Sequence, residues 1–273
     1  YPNVLFEWIT VSLNLLSYLS KFDLDEENLD EDQKIRLAYM YQEGKGTSQN
    51  YEKAIDIYEK AIKNGSAKAM NSLGWMNREG KGMLKNYDTA KQLFEKAMEK
   101  GNENAMANLG YMYMNGLGVV QNYQKAKELF ETASKKGSTS AMGNLGYMYE
   151  KGKGVTQNSY TAFEWYKKAA EKGEAQAMNN LGAMYEKGNG VSQDYPKAKY
   201  WYEKAIEKGN EQALNNLAYL YRDGNGVSKN ILYAIELFEK AATKGINDAM
   251  QQLGWIYYKG NGITQDNTKA RYW

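Results

Sequence analysis

Apolar and small residues return along this chain at a fixed interval of 36 positions. A leucine stands at Leu37, Leu73, Leu109, Leu145, Leu181, Leu217 and Leu253, and an alanine at Ala54, Ala90, Ala126, Ala162, Ala198, Ala234 and Ala270. Two glycines, two residues apart, follow each leucine, from Gly44 and Gly46 to Gly260 and Gly262. A constant period between about 20 and 50 residues marks a repeat solenoid with one supersecondary unit per repeat. Within each unit the apolar positions have helical spacing. Leu109 and Tyr113 lie at i, i+4 with Gly110 between them, where a missing side chain lets a second helix approach. Tyr123, Ala126, Phe130 and Ala133 form a second stripe at i, i+3, i+7 and i+10. Each repeat therefore reads as two helices: helix A, for example Ala105–Asn115, and helix B after a short loop.

The polar positions punctuate this pattern. The first loop glycine is placed to end helix A as its left-handed residue. Asn50, Asn86, Asn122, Asn158, Asp194, Asn230 and Asp266 precede helix B and can cap its free amides. Asp30, Ser66, Asn102, Ser138 and Asn210 do the same for helix A, each just after the glycine that closes the preceding helix B, or its equivalent. Pro196 falls in a first helical turn, where a missing N–H does little harm. Helix B carries mixed charge on its outer face, such as Lys204 with Glu207.

The ends depart from the pattern. Residues 3–21 predict a helix whose apolar face holds Leu5, Trp8, Ile9, Leu13, Leu16 and Leu19. It is expected to cap the first repeat; the alternative is a docking helix for a further domain. It is too short and too polar to span a bilayer, and no membrane insertion is expected. An acidic connector follows, giving a division into residues 1–32 (cap and connector) and 33–273 (repeats). Gln33 and Lys34 replace the Ala-Met pair of later copies, as suits a first repeat with a different neighbour. The chain starts at Tyr1 and stops at Trp273, which aligns with Trp165 and Trp201 inside helix B. The expectation is a piece of a longer protein whose last repeat is truncated, so that Ile256 and Tyr257 are only partly covered and end-to-end self-association can occur there.

Composition narrows the chemistry. The chain has no cysteine and no histidine, so disulfides and Cys/His zinc sites are excluded, as are His- and Cys-dependent nucleophilic schemes. Absence of cysteine permits the cytosol without forbidding an oxidising compartment. Residues 1–32 hold eight acidic residues and one basic, a net of −7, so the repeats carry +9 against +2 for the whole chain. That is mild for so many residues and argues against a nucleic-acid binder. Acids sit mostly at caps and on outer faces, with no isolated convergent pair, and neither a catalytic site nor a cofactor is expected. The Gly-x-Gly loops follow a helix and occur seven times, which fits a backbone requirement and not a phosphate site.

The residues also carry a resemblance. Ala-x-x-x-Leu-Gly-x-x-Tyr-x-x-Gly-x-Gly-Val followed by Tyr-x-x-Ala-x-x-Trp-Tyr-x-x-Ala-x-x-x-Gly, nearly complete in residues 177–209, resembles the Sel1-like repeat, and the likeness extends over residues 33–273. Proteins of this kind are similar to tetratricopeptide proteins. The resemblance implies an all-α fold, a right-handed α-α superhelix of about seven two-helix repeats, and a non-catalytic adaptor role. Such proteins work in membrane-associated quality control, bacterial signalling and bacteria–host contact. The cysteine-rich branch, with its disulfides and β-lactam link, is not implied here.

If helix A lines the inside of the superhelix, the residues beside Leu145 and Tyr149 form two ladders. One is polar: Asn108, Asn144, Asn180 and Asn216, with Ser72 and Gln252 at its ends. The other is aromatic: Tyr39, Trp75, Tyr111, Tyr147, Tyr219 and Trp255, interrupted by Ala183. Amides can read an extended peptide backbone, and tyrosine and tryptophan give large contact area at low entropy cost. Arg78, Met114, Glu150, Glu186, Arg222 and Tyr258 would then tune the choice of protein partner. The competing reading is that both ladders tie neighbouring helices together. A small-molecule or glycan site in the aromatic groove, and a carboxylate-dependent hydrolase, are the alternatives for function.

Overall fold

The computed structural model describes residues 29–273; the expected capping helix at 3–21 lies outside them. Among the described residues there are fourteen helices and no strand. They are α1 (Glu31–Glu43), α2 (Tyr51–Lys63), α3 (Ala67–Glu79), α4 (Tyr87–Glu99), α5 (Glu103–Asn115), α6 (Tyr123–Lys135), α7 (Thr139–Lys151), α8 (Ser159–Glu171), α9 (Ala175–Lys187), α10 (Tyr195–Glu207), α11 (Glu211–Asp223), α12 (Ile231–Thr243), α13 (Asn247–Lys259) and α14 (Asn267–Tyr272). Odd-numbered helices are the A helices and even-numbered ones the B helices. The chain divides into two compact units, the first ending at Ala133 and the second beginning at Ser134. In each, helices adjacent in sequence pack on one another, as α3 does on α4 and α9 on α10, and successive A helices also touch, as α3 touches α5 and α9 touches α11. This is the neighbour-on-neighbour packing of an all-α solenoid.

The ends of the helices follow the polar punctuation. The first loop glycine of every repeat, Gly44 through Gly260, closes helix A at φ between 64° and 78°. All seven Asn or Asp residues before helix B accept a bond from the backbone N–H three residues on, as Asn158 does from Thr161 at 2.9 Å. Helix A is capped likewise by Asp30, Ser66, Asn102, Ser138 and Asn210. Its bounds start two residues earlier than the apolar pattern indicated for α5, because the cap residue and not the first buried alanine begins the helix. Gln33 is the first copy's surprise. Its side chain accepts from the Asp30 N–H at 2.9 Å while Asp30 accepts from the Gln33 N–H at 2.8 Å, a reciprocal capping box.

The core of each unit is built from one motif. Leu145, Leu181 and Leu253 are fully buried, and the other helix-A leucines are at most 7% exposed. The B helices contribute Tyr58, Phe94, Phe130, Tyr166, Tyr202 and Phe238, all with no exposed surface. Each of the middle four lies flat against a helix-A glycine. A Cβ on Gly146 would sit 2.6 Å from the Tyr166 ring, and one on Gly182 2.7 Å from the Tyr202 ring, closer than real contacts allow. The second loop glycine has a different reason: a Cβ on Gly190 would strike the Ser159 carbonyl oxygen at 2.2 Å, so the loop is pressed onto the preceding helix B.

Candidate binding face on the first helix of each repeat

The polar ladder begins from residues one turn away on helix A, so each rung can reach only its own helix or the neighbouring repeat. The rungs are not alike. Asn108 is saturated: its Nδ2 donates to Asn71 Oδ1 at 2.8 Å, and its Oδ1 accepts from Arg78 at 3.0 Å, both in the preceding repeat. Asn216 donates to Asn179 at 2.9 Å. Gln252 accepts from Arg222 at 2.7 Å, repeating the Arg78–Asn108 contact four repeats on. Asn180 accepts from Gln176 at 2.9 Å. Asn144 is open at its carbonyl end, as Asn216 is. The Asn144 Nδ2 is held by the Ser140 carbonyl at 2.9 Å, while its Oδ1 has no partner within its own unit.

Five of the aromatic rungs carry a cation over the ring. Arg78 lies 4.8 Å from the Tyr111 centroid, Lys153 4.9 Å from Tyr147, Arg222 4.5 Å from Tyr219, Lys259 4.7 Å from Trp255 and Lys45 5.5 Å from Tyr39. These are distances at which the ring quadrupole attracts the charge. Tyr219 is also tied down: its hydroxyl donates to Asp248 at 2.7 Å, and the same carboxylate oxygen accepts from Asn215. Burial, then the bond to Asp248, push the Tyr219 phenol well above its ordinary value. Trp75 is half-buried against the cores on both sides of its helix. Trp255, at 54%, and Tyr111, at 37%, keep the most exposed ring surface.

The residues expected to tune the partner have a structural logic that single positions do not reveal. Glu150 accepts from the buried Tyr166 hydroxyl at 2.8 Å, Glu186 from Tyr202 at 2.5 Å and Gln42 from Tyr58 at 3.2 Å. Where helix B carries Phe94, Phe130 or Phe238 instead, the partner position holds Arg78, Met114 or Arg222. An acceptor stands sixteen residues before every tyrosine and before none of these phenylalanines. A buried hydroxyl without an acceptor costs roughly 1–3 kcal/mol, which is reason enough for the match. It was legible in the sequence as a correlation between two columns of the repeat. The burial itself, and for Tyr166 and Tyr202 the neighbouring glutamate, raise the phenol pKa values of Tyr58, Tyr166 and Tyr202.

Among the described residues no group of acidic, histidine or cysteine side chains is arranged to hold a metal ion, and no helix is long and apolar enough to cross a membrane. The face is thus one of amides, cation-capped rings and scattered charge.

Helix pairs repeated at one fixed period, each first helix closed by the same glycine and six of the pairs sealed by a buried tyrosine or phenylalanine ring, define an α-helical repeat protein of the solenoid class. The Sel1 repeat pattern matches residues 35–66, 67–102, 104–138, 139–174, 175–210, 211–246 and 247–273, and the chain belongs to the Sel1 repeat family. Proteins of this family are generally non-catalytic scaffolds that mediate protein interactions. Among solved structures the chain is similar to a Sel1 repeat protein from Oxalobacter formigenes, with 30% identity, a TM-score of 0.73 and coverage of 89% of this chain and 97% of that one. It is also similar to c5321, a protective antigen of uropathogenic Escherichia coli with the same fold, at 32% identity and a TM-score of 0.62. The match covers 89% of this chain but 52% of the antigen, so the chain spans about half that protein's length. An immunity protein of Pseudomonas aeruginosa shares the fold at 22% identity and a TM-score of 0.59, over 80% of this chain and 86% of that one. No curated protein matches the chain.

Proposed function

We propose that this chain is a scaffold that binds a protein or an extended peptide along the helix-A face, for complex assembly or signalling, and performs no reaction of its own. The observation that carries the reading is the rung at Asn144 and Tyr147. There an amide carbonyl is left without a partner in its unit, beside a half-buried ring held by Lys153. Open amides and pre-ordered rings suit recognition of a peptide backbone and its side chains. Rungs such as Asn108 serve the repeat itself, so the surface is discontinuous, and its accessible parts in the second unit are Asn144, Tyr147 and Trp255. The test is capture of partners by the full chain, followed by affinity measurement with Asn144→Ala and Tyr147→Ala combined. Binding should weaken by ~2 kcal/mol or more, the hot-spot scale, with the melting temperature little changed. Unchanged affinity with a large fall in stability would assign these residues to structure alone. A small-molecule or glycan ligand would instead bind in the absence of any captured protein.

A further inference from the structure

Between α11 and α13, within the second unit, lies a cleft of about 790 Å³ whose lining includes Arg222, Lys229, Ile231, Gln252, Trp255 and Asn261. Its origin can be followed from the sequence. In five repeats the position of Lys229 is a glutamine, and four of these (Gln49, Gln121, Gln157 and Gln193) pin the loop by donating to the carbonyl at the end of helix A, at 2.8–2.9 Å, while Gln265 donates to Asn267 instead. Lysine replaces it only at Lys85 and Lys229, in the two repeats where that helix end is an arginine, Arg78 or Arg222. The two copies then diverge. Lys85 lies over the Tyr87 ring at 5.9 Å, whereas the residue matching Tyr87 is Ile231, which offers no ring. Arg78 lies over Tyr111 of the next repeat, whereas Arg222 turns to Tyr219 of its own helix, and the Trp255 indole, with Lys259 4.7 Å from its centroid, lines the cleft. Arg222 is neutralised by Asp223, with two contacts at 2.7 Å. Lys229 has no carboxylate within ion-pair distance among the described residues.

The cleft therefore joins an unneutralised ammonium, three side-chain amides (Gln251, Gln252 and Asn261) and an exposed indole beside isoleucine, with the Asp223 carboxylate in its wall held by Arg222. We propose that it receives an extended peptide segment carrying a carboxylate side chain next to an apolar one. The carboxylate meets Lys229, where a charge-assisted hydrogen bond forms. The apolar side chain lies on Trp255 and Ile231, and Asn261 with the free Nε2 of Gln252 bond the peptide backbone. The volume falls within the usual range for ligand sites and suits a few residues, not a folded surface. The proposal deepens the peptide-binding reading above and rests on it.

The test is selection of a random dodecapeptide phage library on the whole chain, with the selected peptides then measured by fluorescence anisotropy. Acidic residues adjacent to Leu, Ile, Phe or Trp should be enriched. Affinity should fall ~10-fold or more in Lys229→Gln, a change to the residue that five other repeats carry, and similarly in Trp255→Ala. It should be unaffected by Lys85→Gln and should weaken with salt. Peptides without acidic enrichment, or with equal affinity for Lys229→Gln, would overturn the proposal. If those peptides lost binding only in Asn144→Ala with Tyr147→Ala, the scaffold reading would stand and this cleft would not. Failure to select any binding peptide would remove both. Glutarate binding more tightly than the selected peptides would assign the cleft to a small dicarboxylate and overturn the peptide.

Discussion

Leu145 shows what one repeated position is for. It is fully buried in the second unit, at the place every repeat gives to leucine. Leu145→Ala should cost ~2–5 kcal/mol in urea melts, the range for leucine truncation in a packed core. A loss below ~0.5 kcal/mol, the size of a surface change, would contradict that packing. The buried tyrosines make a second residue-scale prediction, in pH. Burial raises the phenol pKa values of Tyr58, Tyr166 and Tyr202 above the unfolded value near 10. Above that pH the unfolded chain releases protons that the folded chain keeps, so the native state binds more protons and stability falls as pH rises. Below it these groups contribute no slope. Denaturant midpoints measured from pH 8 to 11 should therefore drop at the alkaline end, and the drop should shrink in Tyr166→Phe with Tyr202→Phe. An unchanged slope in the double variant would place the alkaline loss elsewhere.

At the scale of the element, the helix is set by its ends more than by its middle. Six of the seven A helices have a side-chain cap; α13 begins after Ile246, which makes no side-chain cap bond. The cap of α9 is Glu174, bonded to the N–H groups of Gln176 and Ala177, where its equivalents are Ser, Asn or Asp. Its longer side chain reaches both amides at once, and burial raises its carboxyl pKa, with the two backbone bonds working the other way. A carboxyl whose folded pKa is raised contributes most when protonated, and stability falls as pH rises through the folded value. Glu174→Asn keeps a cap and removes the buried charge. It should stabilise the fold by about 0.5 kcal/mol at pH 7, with the gain shrinking below about pH 4. A destabilised Glu174→Asn at pH 7 would show that the charge itself holds the α9 terminus. Helix type, cap and period were all legible in the chain, because glycine, Asn/Asp and leucine fall at invariant places. The rung-by-rung bonding of the polar ladder was not. Asn108 and Asn144 are both followed by Leu-Gly-Tyr-Met-Tyr, and the presence of Arg78 and Asn71 in the repeat before Asn108 gives it the bonds that Asn144 lacks.

At the scale of the molecule, stability should vary along the array. A solenoid holds each repeat through its neighbours alone, so local openings need break few contacts. The short α14 contributes no buried residue, and α13 is covered on one side by it. Backbone amides of α13 and α14 should exchange hydrogen faster than those of α9 and α10, which lie between packed helix pairs. Equal protection across these helices would mean that the unit opens only as a whole. The same arrangement explains why the site was harder to read than the fold. The period is written by residues that serve every repeat, whereas the accessible chemistry at Lys229, Trp255 and Asn144 comes from places where single repeats depart from it.

The matching of helix-B tyrosine with an upstream acceptor bears on how such an array can lengthen. The two partners lie on either side of the Gly-x-Gly loop but inside one repeat, as Glu186 and Tyr202 do. A duplication or recombination joint placed in the turn between helix B and the next helix A, for instance at Gly173 or Gly209, copies both partners together. A joint placed in the Gly-x-Gly loop can unite Arg78 with Tyr166, burying a phenol against a guanidinium that has no lone pair to accept its proton. Chimeras of repeats two and four joined at the turn should fold as well as their parents, whereas those joined at the loop should melt at lower temperature. The repeats are thus units of inheritance with a preferred cutting point, set by a single hydrogen bond.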